Sequence, residues 1–468
     1  MIELTFTEVI IALAYLAAGI LFIVGLKGLT SPRTARKGNR MAAVGMLVAI
    51  VATIVFLVAV EELSSTTAWA IIAAGIVVGG AIGAFLALRV QMVDMPQLVA
   101  AFNGFGGGAS ALVASAVVVG TDALLPTEIG VTTALSLAIG AVTLTGSMIA
   151  YAKLQGLIGG KPVAIPGGPA TNAVIAGLML IVAVFAVVTN SPAAYWGATA
   201  LALVLGVTAV LPIGGADMPV VISLLNSFSG LAAAMAGFTI ENQALIIGGA
   251  LVGAAGMILT LDMSVAMNRS IANILFSGFG GTVASDEEIG TKPVKRATAE
   301  DAAIALSYAQ NVMVVPGYGL AVAQAQHAVK ELATALEKRG VNVEYAIHPV
   351  AGRMPGHMNV LLAEADVPYD KLLDLDQSNP KFGHTDVVLV IGANDVINPV
   401  AHTDENSPIY GMPVLDVEDA ATVIVVKRSL SPGFAGIDNP LFYQDGTMMF
   451  FSDAKKALED TVKAVNEL

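Results

Sequence analysis

The residues able to do chemistry in this 468-residue chain are few, and most of them crowd into its last third. There is no cysteine, which excludes disulfides, thiolate metal sites, iron–sulfur clusters and a cysteine nucleophile. The five histidines, His327, His348, His357, His384 and His402, show no His-x-x-x-His or carboxylate spacing for a metal and are read as non-ligands. What remains is a set of short motifs at predicted strand ends. Asn311-Val-Met-Val-Val-Pro316 reads as a strand, Gly317-Tyr-Gly319 follows at once, and a helix begins after it. Two glycines there make a tight turn and let backbone N–H groups approach a pyrophosphate at the helix N-terminus. Val322 stands where the third glycine of that fingerprint belongs, and an ordinary strand-to-helix turn would read the same way.

Charge sharpens the reading. The acid that would hold a ribose hydroxyl should end the second strand, but that strand ends at Ile347-His348, with Glu344 in its middle. The next turn, Val350-Ala-Gly-Arg-Met-Pro355, offers Arg353. Lys427-Arg428 end a later strand and lead into the loop Ser429-Leu-Ser-Pro-Gly-Phe-Ala-Gly436. Two cations and a Gly/Pro loop suit a phosphate better than a hydroxyl, so NADP is favoured over NAD; a solvated sheet edge is the alternative. Gly392-Ala-Asn-Asp-Val396 closes a third strand. Asp395 is the acid expected nearest a nicotinamide, unless it only caps its turn.

These motifs need a scaffold, and the pattern around them supplies one. Strands at 311–315, 341–347, 386–391 and 422–426 alternate with helices at about 320–339, 357–365 and 453–467. Alternation predicts a soluble α/β doubly wound, Rossmann-like parallel sheet over residues 299–468, with sites at the carboxyl ends of its strands. Residues 271–298 mix Gly, charge and Pro without apolar periodicity and read as a mobile tether.

Residues 1–270 are of another kind. Hydrophobic residues make up 56% of the chain and charged residues only 13%, with a mean hydropathy of +0.78. A membrane helix takes about 20 apolar residues, and nine segments qualify: 8–26, 41–60, 68–88, 97–119, 131–152, 172–189, 194–211, 219–239 and 243–262. With that count, Lys27, Arg33, Arg36, Lys37, Arg40, Arg89, Lys153, Lys161 and Arg269 all fall on one side. Glu3, Glu8, Glu61, Glu62, Asp122, Glu128 and Glu241 fall on the other. Eight or ten helices would break the pattern. The positive-inside rule then puts the N-terminus outside and the C-terminal domain in the cytoplasm. The acidic N-terminus favours a retained span over a cleaved signal. The first 270 residues carry a net charge of −1 and the rest −12, together the −13 of the chain, which argues against a nucleic-acid partner.

Runs such as Gly75 to Gly83 and Gly248 to Gly256 predict close helix packing. Asn103, opening Asn103-Gly-Phe-Gly-Gly-Gly108, and Asn226, with Ser223, Ser227 and Ser229, are the polar groups inside spans; they could line an ion path or simply bond neighbouring helices. Asp94-Met-Pro96 and Asp217-Met-Pro219 recur at the starts of the fourth and eighth helices. An acid and a proline suit a first helical turn, so caps are a sufficient reading.

Taken together, Gly214-Gly-Ala-Asp-Met-Pro219, Pro316-Gly-Tyr-Gly319, His348-Pro-Val-Ala-Gly-Arg353, Gly392-Ala-Asn-Asp395 and Lys427-Arg-Ser429 resemble, nearly end to end, the β subunits of proton-translocating NAD(P) transhydrogenases. The resemblance implies NADP(H) on this chain and NAD(H) on a partner α-type chain, in a dimer of αβ units in the plasma (inner) membrane of a prokaryote. Beside Gly317 and Gly319, already read from the turn, it implies that Tyr318, Val350, Ala351, Gly352, Arg353, Met354 and Pro355, Gly392, Ala393, Asn394, Asp395 and Val396, Gly411 and Met412, and Asp453 and Ala454 line the nucleotide. It adds Lys427, Arg428, Ser429, Leu430, Ser431, Pro432, Gly433 and Phe434, with the 2′-phosphate on Lys427-Arg428 and residues 429–436 as a lid. The nucleotide would lie reversed relative to most such folds, which leaves the missing acid at the second strand a weaker argument for NADP. The resemblance also ties Asn103, Asp217 and Asn226 to proton movement. Asn103 stands where some members carry His, which favours a water-mediated path, and Phe434 stands where Tyr is common. The activity implied is Re/Si-specific hydride transfer from NADH to NADP⁺, mainly making NADPH, driven by inward proton movement and dependent on the partner. A channel or secondary transporter with a cytoplasmic NADP sensor is the alternative.

Overall fold

The computed structural model describes residues 5–60, 65–91, 94–120, 124–159, 162–276, 293–354, 356–407, 409–433 and 435–468. Nine helices among the described residues are long and apolar enough to cross a membrane. They are α1 (Phe6–Leu29), α2 (Pro32–Ala59), α3 (Thr66–Arg89), α4 (Met95–Gly120), α5 (Thr127–Leu154), α6 (Gly168–Thr189), α7 (Pro192–Val210), α8 (Met218–Thr239) and α9 (Gln243–Ala266). Each matches one predicted span, with 41–60 and 194–211 running one residue past the ends of α2 and α7. The cations at 33–40, predicted as a loop, lie inside the start of α2, because Lys and Arg are good helix formers whose long stems carry the charge away from lipid. The start of α1 is held by a capping box: Thr5 Oγ1 accepts from Glu8 N at 3.3 Å, and the Glu8 carboxylate accepts from Thr5 N at 2.7 Å.

Glycine lets these helices touch. A Cβ at Gly249 would lie 2.4 Å from Ala234 N and one at Gly230 2.3 Å from Gly253 N, so α8 and α9 meet backbone to backbone. The run on α3 differs. A Cβ added at Gly75, Gly79, Gly80 or Gly83 would meet no neighbouring element within 4 Å, and α3 buries no residue against the described chain.

The chain forms two compact units, one of Met1–Gly159, Ala164–Leu211 and Val221–Leu259, the other of Gly160–Val163, Pro212–Val220 and Thr260–Leu468. In the second, α10 (Ile271–Phe276) and α11 (Ala299–Ser307) precede a sheet of β1 (Asn311–Pro316), β2 (Asn342–Ala346), β3 (Leu372–Leu373), β4 (Val387–Ile391), β5 (Thr422–Lys427) and β6 (Thr447–Phe451). All pairings are parallel and the order is β3-β2-β1-β4-β5-β6. Strands buried on both faces must be continuously apolar, and β4 is Val-Val-Leu-Val-Ile with every residue buried. The helices are α12 (Tyr318–Val322), α13 (Gln326–Lys338), α14 (His357–Glu364), α15 (Leu375–Phe382), α16 (Val400–Thr403) and α17 (Ala454–Glu467). Growth of the sheet reverses between β1 and β4, and the crevice of such a fold opens at that switch point.

Three expectations change. The predicted helix at 320–339 is two helices, because Ala323–Ala325 form a Schellman turn: Ala325 N donates to Leu320 O at 3.1 Å and Gln324 N to Ala321 O at 3.0 Å, with Gln324 at φ +50°. Nothing in Ala-Gln-Ala breaks a helix by composition; the turn lets α13 lay Val329, Leu332 and Leu336 in the core. The elements β3, β6, α11, α15 and α16 went unpredicted. Finally, the predicted tether is helical at Ile271–Phe276, and its last residues run beside β6, with Ala297 N to Met449 O at 3.0 Å and Met449 N to Lys295 O at 2.8 Å. Residues 277–292 lie outside the described residues.

Candidate functional site

At the switch point the ends of β1 and β4 are bonded to each other. Gly317 N donates to Ile391 O and Gly319 N to Gly392 O, both at 2.9 Å. Gly392 is at φ +66°, and a Cβ on Gly319 would lie 2.6 Å from its Cα. Glycine is needed here so that two loops can meet, and the Gly317 and Gly319 N–H groups serve that contact instead of facing outward as predicted. The helix that follows, α12, has only five residues.

The second wall is the loop after β2. His348 is 1% exposed. Its Nε2 donates to Pro413 O at 2.6 Å, and its Nδ1 accepts from Val350 N at 3.2 Å. His357, equally buried, accepts Arg353 N on Nδ1 at 3.0 Å. Burial pushes His348 down to about 4; burial, then the Arg353 charge, pushes His357 down to about 4 as well. Both rings are therefore neutral braces that shape 350–354. Arg353 lies over the Tyr318 ring at 4.4 Å, which joins this loop to the glycine turn. Glu344, the only acid of β2, is ion-paired with Lys381 at 2.7 Å and stands away from the crevice.

The third wall runs from β4 to β5. Asp395 begins a short 3-10 turn at Asp395–Ile397, and its carboxylate accepts Ala435 N at 3.0 Å. A Cβ on Gly433 would lie 2.4 Å from Asp395 Oδ1, so the backbone of the loop after β5 rests on this side chain. The Asn394 amide, in the orientation that satisfies both its ends, accepts from Gly433 N at 2.7 Å and from Lys427 Nζ at 3.0 Å. Lys427 Nζ also donates to the Ser431 carbonyl and sits 4.9 Å from the Phe442 ring centre. Burial pushes this ammonium down to about 8, while Asp395 and Asp438 pull the other way. Arg428, in contrast, is exposed. Behind them Asn439, 1% exposed, donates to Asn394 O at 3.2 Å.

Gly411 and Met412 sit in a loop tied to its neighbours by Gly411 N to Ala401 O at 2.8 Å and Leu415 N to Val396 O at 2.9 Å. Residues 317–319, 350–354, 392–396, 411–412 and 427–433 thus gather at the carboxyl edge of the sheet. Asp453 and Ala454 follow β6, where Asp453 Oδ1 caps α17 by accepting Lys455 N at 3.1 Å. Pro355 and Phe434 lie outside the described residues. Sequence reasoning missed His348 and His357 as loop braces and Asn439 as a support. No local pattern marks Asn439, whose partner is 45 residues away.

In the membrane helices, Asn103 Nδ2 donates to Ser147 Oγ at 3.0 Å, joining α4 to α5. Asn226 is half-buried on α8, and its neighbours Ser223 and Ser227 bond the carbonyls of Gly256 at 3.1 Å and Gly253 at 2.7 Å on α9. Asp217 precedes α8 and takes both carboxylate oxygens to Arg269 Nη1, at 2.8 and 2.9 Å. Burial lifts the Asp217 carboxyl above its usual range against the pull of that guanidinium.

Such an edge can hold an anionic, extended ligand between a backbone-lined crevice, an arginine stacked on a tyrosine, and the loop that follows Lys427-Arg428. The family described as NAD(P) transhydrogenase beta subunit matches residues 11–464. Two relatives from Rhodospirillum rubrum, both named NAD(P) transhydrogenase subunit beta and one assigned to a particular strain, are 51% identical over 463 residues, covering 97% of this chain and 98% of their own length. With the match spanning the membrane helices and the sheet alike, this chain belongs to the NAD(P) transhydrogenase beta subunit family.

Proposed function

We propose that the sheet domain of this membrane subunit binds NADP(H), that an α-type partner binds NAD(H), and that hydride passes between them as a proton moves inward through the helices. The observation that carries the reading is the build of the carboxyl edge: Arg428 stands exposed at the end of β5, beside the loop that follows it, and Arg353 is stacked on Tyr318. That set favours a third phosphate over a ribose diol. Bound NADP⁺ would supply the hydride-accepting nicotinamide; NADH gives up H⁻ to become NAD⁺ while NADP⁺ becomes NADPH, so the exchange itself needs no protein nucleophile. The chain's own residues do the rest. Gly317, Gly319 and Gly392 shape the crevice, Val350 to Met354 and Gly411-Met412 wall it, and Asp453-Ala454 flank it. Residues 429–433 close over it on Asp395, which we place nearest the reacting ring. Pro355 and Phe434 extend the same two loops.

The nine-helix pattern supports an N-terminus outside and a cytoplasmic sheet domain in a prokaryotic plasma membrane, with residues 1–270 as the membrane part, 271–298 as the connection and 299–468 as the nucleotide domain. Asn103, Asn226 and Asp217 are the candidate proton-path groups, and a dimer of αβ units with Re/Si-specific transfer toward NADPH completes the reading. Moving one charge across 100 mV yields about 2.3 kcal/mol, enough to bias a near-isoenergetic exchange tens-fold. The site is tested by Arg428→Ala in the full αβ complex. NADP(H) affinity should fall about tenfold or more while NAD(H) affinity holds; equal losses for both nucleotides would refute the assignment of Arg428 to the 2′-phosphate.

A further inference from the structure

The end of α9 carries two side chains on consecutive residues that reach in different directions. Helix α9 closes in a Schellman turn, with Asn268 N to Val265 O at 2.9 Å and Arg269 N to Ser264 O at 3.0 Å, and Asn268 occupies its left-handed position at φ +47°. Glycine is the usual residue there, and asparagine brings something glycine lacks. The Asn268 amide donates from Nδ2 to the Tyr410 carbonyl at 2.9 Å. Gly411, at φ +73°, leaves the room for it: a Cβ there would lie 2.3 Å from the same nitrogen. The next residue, Arg269, holds the Asp217 carboxylate. All five residues belong to one compact unit.

The loop that Asn268 grips is also tied to the site. From Gly411 it runs through Met412 to Pro413, whose carbonyl is held by His348, the brace of the 350–354 loop. We propose that Asn268 is a positioning residue: its amide fixes the 409–413 loop to the end of α9, so that a change at the Asp217–Arg269 pair is transmitted to the nucleotide crevice. This rests on the reading of Gly411 and Met412 as part of the NADP(H) site. Coupling then runs through contiguous bonded groups, with the αL turn as a fixed pivot.

The turn and the amide can be separated experimentally. Asn268→Gly keeps the left-handed cap and deletes the amide, and Asn268→Asp keeps the shape but sets a carboxylate against a carbonyl. Tyr410→Phe is the control, since the acceptor is a main-chain oxygen. Each would be assembled as the full αβ complex in sealed vesicles, and NADPH dissociation would be measured with and without an imposed proton gradient. Wild type and Tyr410→Phe should show the same change in NADPH release when the gradient is applied. In Asn268→Gly and Asn268→Asp that change should shrink about two- to tenfold, the worth of one hydrogen bond, with the uncoupled hydride-transfer rate at saturating nucleotides preserved. An unaltered gradient response in Asn268→Gly would overturn the proposal. So would loss of the uncoupled rate in Asn268→Gly and Asn268→Asp together, because a purely structural role would then suffice. Absence of NADPH binding by the wild-type complex would instead remove the reading of the site itself.

Discussion

Lys427 and Arg428 are adjacent, carry the same formal charge and do different things. Arg428 stands exposed, while Lys427 turns inward to Asn394 and the Ser431 carbonyl. The pair was legible in the sequence as charge at a strand end; its division of labour was not, because Asn394 and Phe442, which Lys427 meets, are 33 and 15 positions away in the chain. That division has a pH signature. Burial holds Lys427 near 8, below the ordinary 10.5, despite the opposing pull of Asp395 and Asp438. Above about pH 8 the ammonium is lost, and with it the donor to the Ser431 carbonyl and the attraction to the Phe442 ring. Release of NADPH should therefore speed up about tenfold as pH rises through 8, the worth of a hydrogen bond to a charged group. Lys427→Met should show the fast rate at every pH. A release rate flat from pH 7 to 9 in the wild type would contradict this role.

At the scale of elements, two buried histidines brace one loop. An opened chain protonates a histidine near 6.5, whereas in the fold His348 and His357 take a proton only near 4. Between those values the opened form binds more protons, so opening grows easier as pH falls from 6.5 toward 4, by about 1.4 kcal/mol per pH unit for each ring. Amide hydrogen exchange at Val350 and Arg353, whose N–H groups bond the Nδ1 atoms, should accelerate across that window after correction for its intrinsic pH dependence. His348→Gln should flatten the response at Val350; protection that does not change between pH 6.5 and 4 would refute it. The elements legible in the sequence were those with strong periodicity: the membrane spans, β1, β2, β4, β5 and α17. The missed ones each lack a clean signal. β3 has two residues, α15 contains Pro380, α11 follows directly on the charged stretch to residue 298 that read as tether, and β6 has only five residues. The glycine turn was placed correctly as a turn, but its N–H groups bond the end of β4, a partner about 75 residues away that no local pattern reveals.

For the whole molecule, one chain combines nine membrane-spanning candidates among its described residues with a parallel sheet in the order β3-β2-β1-β4-β5-β6, and its likeness to transhydrogenase beta subunits covers both. If hydride transfer and proton movement are coupled as proposed, the join is where that coupling must act. A sensor attached to a channel would need the helices and the nucleotide only to influence each other, whereas a transhydrogenase needs them to exchange free energy with hydride transfer in both directions. Composition and charge made the two halves legible. The bonds that connect Asp217 to Arg269 and Asn268 to Tyr410 were not, because they join residues 52 and 142 positions apart. The most direct measurement is hydride transfer from NADH to NADP⁺ by this chain reconstituted with its α-type partner in sealed vesicles, with and without a proton gradient directed toward the sheet domain. The account predicts transfer that requires both chains and that the gradient drives tens-fold toward NADPH; no transfer, or transfer indifferent to the gradient, would contradict it.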